Sequence, residues 1–158
     1  MQAIQKALSE IKSYPGRFEI KALGSHYMID DTYNANPESM RVGLLYLKKM
    51  KEEQGFKTAA ILGDMFELGE KSKPCHEELG KLLGQTHIDE FYALGPLSKY
   101  SVQTAQVQFK KHYLQHIDII DDFMKRLDQP TLVLVKGSRG MKMERVAIAL
   151  AEQLKNLE

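Results

Sequence analysis

The sequence predicts an α/β domain: a mostly parallel, twisted sheet with helices on both faces and an antiparallel hairpin at its start. Three observations predict it. The runs at 58–62 (TAAIL) and 131–135 (TLVLV) are continuously apolar, as in strands covered on both faces. Each is followed by a polar, glycine-containing loop and then by apolar residues at helical spacing, the order of right-handed crossovers. Residues 17–29 instead form two short runs divided by Gly24-Ser25, the pattern of a hairpin.

In chain order, residues 3–12 place Ala3, Ile4, Ala7, Leu8 and Ile11 on one face of a short helix that Tyr14-Pro15-Gly16 ends. Residues 17–23 and 26–29 are the hairpin strands, and a polar loop, 30–36, follows. Asn36 is an N-cap and Pro37 a first-turn residue, opening a helix with Met40, Leu44, Leu47 and Met50 inward that Gly55 stops. After the strand at 58–62 comes a loop, 63–70, and a helix from Ser72 burying Leu79, Leu82 and Leu83. A strand at 88–94, a loop at 95–98, a weaker helix at 99–106 and a short strand within 109–114 follow. Asp118 is expected to cap a helix with Phe123, Met124 and Leu127 inward. The strand at 131–135 leads to the loop 136–140 and a last helix burying Met143, Val146, Ala147, Leu150 and Leu154.

The 158 residues make about one domain, able to bury roughly two thirds of its unfolded surface without disulfides or metals. With 43% apolar and 27% charged residues, neither disorder nor a fibrous repeat is suggested. A net charge of +1 supplies no global basic field for nucleic acid, so an anionic ligand must be held by local groups. Cys75 is the single cysteine and allows no internal disulfide; no signal peptide or membrane span is evident, and cytoplasm is the expected compartment.

Three loops after strands are candidates for chemistry. Asp30, Asp31 and Asn34 would lie at the carboxyl end of a strand, where α/β sheets bind ligands, although acids and asparagines also serve simply as turns and caps. Lys136-Gly137-Ser138-Arg139-Gly140 brings two cations to two glycines and a serine and suits a phosphate, or is a solvated turn. The third is 63–70, with Asp64 and Glu67. No GxxxxGK(S/T) phosphate loop and no GxGxxG after the first strand are present, which argues against a self-contained nucleotide-hydrolysing site. His112 and His116 are spaced for one helical face but read as surface histidines, and no metal site is expected.

Taken together, IDDTYNANPESM, ILGDMFELGE with His76 beyond it, and VLVKGSRGMKME resemble the C-terminal domain of the Mur ligases, over residues from about Gly16 to Gln153. DDTYNANP resembles the branch that adds D-alanyl-D-alanine to UDP-N-acetylmuramoyl-tripeptide in peptidoglycan synthesis. The resemblance implies a Rossmann-like domain spanning 16–158, preceded at 1–15 by a linker helix from a central domain that holds the phosphate loop and the magnesium site. It implies a reaction in which ATP phosphorylates the acceptor carboxylate and an amine attacks the acyl phosphate. ATP and Mg would be bound mostly by that central domain, so the isolated chain is expected to be inactive. The implied partners are UDP-N-acetylmuramoyl-tripeptide, D-alanyl-D-alanine and the N-terminal and central domains, with no nucleic acid and a monomeric state.

Residue by residue, the resemblance matches Arg17 to an arginine reaching the ATP γ-phosphate, a catalytic role. It matches Asp31, with Asp30 beside it, to the acid that accepts from the ribose, and Asn34 to a position near adenine and ribose. It matches Lys136, Ser138 and Arg139 to the loop facing the incoming substrate, and Asn36 is a further candidate for binding it. Charge logic adds Asp64 and Glu67 as candidates for the dipeptide ammonium. The alternatives are a folylpolyglutamate or cyanophycin-type ligase domain and a stand-alone nucleotide or amino-acid binding domain.

Overall fold

The computed structural model describes residues 14–157; the helix expected over 3–12 lies outside the described residues. Its strands are β1 (Glu19–Leu23), β2 (His26–Asp31), β3 (Lys57–Gly63), β4 (Glu90–Leu94), β5 (Phe109–Tyr113) and β6 (Thr131–Lys136). The helices are α1 (Pro37–Gln54), α2 (Ser72–Gln85), α3 (Lys99–Thr104), α4 (His116–Lys125) and α5 (Glu144–Lys155). The strands form one sheet in the order β1-β2-β6-β3-β4-β5, antiparallel between β1 and β2 and parallel elsewhere, as expected. No described helix is long and apolar enough to cross a membrane.

The central strand divides the core. On β6, Leu132 and Leu134 pack on one face with Met40, Leu44 and Leu47 of α1, while Val133 and Val135 pack on the other with Phe123 of α4 and Val146 and Leu150 of α5. This two-faced burial is why the strand lacks polar alternation. Helix α1 lies so near β6 that a Cβ on Gly43 would stand 2.8 Å from Leu134 Cδ2. Its start is a capping box: Asn36 Oδ1 accepts the Ser39 N–H at 2.8 Å and Ser39 Oγ accepts the Asn36 N–H at 3.1 Å. Gly55, at φ 72°, ends it.

Four expectations are corrected. β2 continues through Asp31, because its pairing with β6 runs on to Asp31 opposite Lys136, so the acid pair ends a strand instead of starting a loop. Arg17 precedes β1, since Gly16 and Phe18 both take positive φ and form a turn there. Helix α4 begins at His116, which places Asp118 in the first turn, facing the positive end of the helix dipole, and not at the cap. His112 lies on β5 while His116 opens α4; their Nε2 atoms sit 2.6 Å from Gly95 O and 2.8 Å from Met141 O, closing two separate loops.

Asp89 joins the far end of α1 to β3. Its Oδ1 accepts from Lys51 Nζ at 2.6 Å, and its Oδ2 from the Thr58 N–H at 2.8 Å and hydroxyl at 3.1 Å. Burial disfavours its charge, but the Lys51 ammonium and the Thr58 donors outweigh burial and hold the carboxyl below its ordinary value. A depressed folded-state pKa gives stability that is present above the unfolded value of about 3.9 and lost as pH falls through the folded one. Urea midpoints measured between about pH 2 and 6 are expected to fall on the acid side, and Asp89→Asn to flatten that fall. A variant profile parallel to the parent would place the acid sensitivity elsewhere.

Candidate active site at the carboxyl edge of the sheet

The loops after β2, β3 and β6 leave adjacent strands of the sheet and meet at its carboxyl edge, where ligands bind in open α/β sheets. Strand register then decides which side chains meet. Asp31 and Lys136 pair across β2 and β6, and Lys136, only 2% exposed, donates from Nζ to Asp31 Oδ2 at 2.6 Å and to Asn34 O at 2.9 Å. The other oxygen, Asp31 Oδ1, accepts the Phe18 N–H at 3.0 Å. The Asp31 side chain keeps 16% exposure, so a carboxylate held on both oxygens still presents an edge outward. Lys136 is thus a buried counter-ion that sets Asp31 and the Asn34 backbone, a different place from the substrate-facing one expected of it.

Alternation along β2 sends Asp30 to the opposite face of the sheet from Asp31. There it is buried, accepting from Lys21 Nζ at 2.7 Å and from the Thr32 hydroxyl at 2.7 Å. Asp64 is also buried and faces the loop after β4: its oxygens accept the Ser98 and Leu97 N–H groups at 2.7 and 3.0 Å. Gly95, at φ 110°, lies against that carboxylate where a Cβ would collide with it. The carboxylate orders that loop and does not turn to the shared edge.

Ser138 ties the three loops together. It is buried, its Oγ accepts the Phe66 N–H at 2.8 Å and donates to Ala35 O at 3.4 Å, and its own N–H donates to Asp64 O at 3.0 Å. The neighbouring amide, Met65 N–H, donates to His76 Nε2 at 3.1 Å, and His76 Nδ1 stands 2.7 Å from Ser72 O. An amide can only donate and a carbonyl only accept, so the imidazole hydrogen sits on Nδ1. These bonds hold Phe66 and Glu67 outward, Glu67 in a left-handed backbone (φ 61°) that a non-glycine residue keeps only when its surroundings enforce it.

Two concavities open on this edge. The larger, about 620 Å³, is lined by Tyr33, Asn34, Asn36, Phe66, Glu67 and Arg139 among others. The second, about 420 Å³, shares Tyr33 and Asn34 with it and adds Arg17, Asp31 and Lys136. Of the expected residues, Arg17, Asp31, Asn34, Asn36, Glu67, Lys136, Ser138 and Arg139 therefore border these two joined concavities; Asp30 lines a third, of about 380 Å³, that shares Tyr33 and Arg139 with the larger, and Asp64 lines none of them. A separate concavity of about 530 Å³ lies between α1 and α2 beside Cys75, and none of the expected site residues lines it.

Two aromatic residues were not foreseen. Tyr33 is 40% exposed and lies beneath two guanidiniums, with Arg17 Cζ 4.1 Å and Arg139 Cζ 5.1 Å from its ring centroid. Hydrogen bonding from Arg17, then the charge of Arg139, favours the phenolate and holds the Tyr33 hydroxyl below its ordinary pKa. Phe66 is 39% exposed against Gly140. The signal in the sequence is an aromatic residue inside each of the loops that follow β2 and β3.

The Mur ligase, glutamate ligase domain, matches residues 16–139 as a sequence family. The chain belongs to the Mur ligase family. It is 34% identical over 152 residues to the UDP-N-acetylmuramoyl-tripeptide:D-alanyl-D-alanine ligase of Bacillus subtilis (strain 168), covering 93% of this chain and 33% of that protein. With the Escherichia coli (strain K12) ligase of the same name it shares 33% identity over 155 residues, 96% of this chain and 33% of that protein. Among solved structures, MurF ligase from Thermotoga maritima in complex with ADP superposes with a TM-score of 0.79 at 28% identity, over 99% of this chain and 37% of that one. The chain spans about a third of the length of the curated relatives it matches.

Proposed function

We propose that this Mur ligase chain is the C-terminal domain of an ATP-dependent ligase that adds D-alanyl-D-alanine to UDP-N-acetylmuramoyl-tripeptide, and that it supplies nucleotide and dipeptide contacts when domains close. The observation that carries this is the meeting of the DDTYNANP, GDMFELGE and KGSRG loops around one concave region. The names of the relatives, and the ADP in the Thermotoga maritima structure, support the same reading.

In this proposal Asp31 takes a ribose hydroxyl, with Asn34 beside the nucleoside, and Lys136 holds Asp31 in place. Arg17 meets the γ-phosphate, since a guanidinium fork matches charge spread over phosphoryl oxygens. Glu67, unpaired among the described residues, would hold the dipeptide ammonium, with Asn36 bordering the same concavity for its carboxylate end. Ser138, Asp64 and Asp30 shape the loops and the hairpin without touching ligand. Among the described residues no three His, Cys, Asp or Glu side chains are grouped to hold a metal. Residues 1–15 would lead in from a central domain.

The chain alone is expected to form no product from ATP, D-alanyl-D-alanine and the UDP-tripeptide, and joining it to the two preceding domains to give ATP-dependent ligation. Turnover by the 158 residues alone would overturn the proposal. Replacing D-alanyl-D-alanine by glutamate in the same assay separates it from a folylpolyglutamate or cyanophycin-type ligase.

A further inference from the structure

Tyr33 borders three concavities, of about 620, 420 and 380 Å³, and stands where two distant parts of the chain meet. Its N–H donates to Gly16 O at 2.8 Å, which binds the end of β2 to the turn that carries Arg17. Gly16 takes φ 70° in that turn, and a Cβ there would stand 3.3 Å from the Tyr33 backbone nitrogen, so the two segments are in close contact. Phe18, next along, is anchored on α1 by an edge-to-face contact with Tyr46 at 5.1 Å. From the other end of the chain, Arg139 reaches the same ring and donates from Nη1 to the Tyr33 hydroxyl at 3.3 Å.

Both arginines are exposed, and an exposed arginine ordinarily samples many rotamers, whose loss opposes binding. A guanidinium carries five N–H donors, so contact with the ring and one bond to the hydroxyl leave others to donate outward. We infer that Tyr33 is a positioning residue that gathers Arg17 and Arg139 over its ring, so that their remaining N–H donors are presented together to one polyphosphate-type oxyanion. The inference rests on the nucleotide reading above and deepens it: it assigns a specific task to an aromatic residue that itself donates nothing to the anion.

The phenol supplies a readout that a purely structural role would not move. Arg17 and Arg139 are the charged groups that lower its pKa. An anion taken by both guanidiniums offsets their charge, so the Tyr33 titration midpoint should rise towards its ordinary value.

The test uses this chain with ¹³C-labelled tyrosine and inorganic tripolyphosphate. Saturating tripolyphosphate is expected to raise the Tyr33 Cζ titration midpoint and to shift the side-chain resonances of both arginines. Tyr33→Leu is expected to weaken tripolyphosphate binding roughly three- to tenfold, the scale of one or two exposed cation–π contacts, and Tyr33→Phe to restore most of it because the ring remains. A midpoint that tripolyphosphate leaves in place, or equal affinity in Tyr33→Leu with folding verified by its amide spectrum, would overturn the inference. If tripolyphosphate behaves as expected but ADP perturbs neither Asp31 nor Asn34, the nucleotide reading fails and the role of Tyr33 stands.

Discussion

Arg17→Ala, made in the complete ligase, is expected to lower turnover roughly 10²- to 10³-fold, the loss typical of one charge-stabilising donor to a transition state. Arg17 is exposed and presented at the mouth of the site by a turn with positive φ at Gly16 and Phe18, and its guanidinium lies over Tyr33. Nothing in that arrangement contributes to the core, so the variant should fold as the parent does and the loss should fall on kcat. Steady-state rates with saturating ATP and dipeptide, together with the melting temperature, make the check. A full rate in a folded variant would remove Arg17 from the reaction.

Lys136→Met is expected to cost about 3 kcal/mol of folding stability, read from urea denaturation of this chain, because it leaves Asp31 without its buried partner. The ammonium is almost wholly enclosed and bonds to Asp31 and to the Asn34 carbonyl, so its removal releases a carboxylate and a loop together. The double variant Lys136→Met with Asp31→Asn should recover much of the loss, since a neutral amide needs no counter-ion. Additive losses in the cycle would show that the pair is not coupled. The same single variant should weaken ADP binding, if Asp31 holds the ribose only when Lys136 sets it.

Much of the fold could be read locally. The stretches 132–135 and 59–62 are apolar without alternation because both of their faces are covered, and Asn36-Pro37 with Ser39 three residues past the cap opens α1 by hydrogen bonds confined to that turn. The start of α4 was misjudged at Asp118 because an acid in a first turn and an acid at a cap have the same composition; only the backbone separates them. His112 and His116 show the same limit, since a spacing of four has meaning only once the element type is known.

The candidate site divides along the same line. Polar residues after a buried strand emerge at the sheet's carboxyl edge, which is why residue order alone puts Asp31, Asn34, Glu67 and Arg139 there, whereas Arg17, ahead of β1, is matched only through the family resemblance. Which acid faces that edge was a matter of register: one residue along β2 sends Asp30 to Lys21 and Asp31 to Lys136, a partner 105 residues away. Burial of Lys136 and Asp64, and the gathering of Arg17 and Arg139 over Tyr33, depend on strands β2, β6 and β3 lying side by side although they are far apart in the chain. Short-range propensity fixes turns, caps and strand faces; contacts between distant segments exist only once the sheet order brings them together.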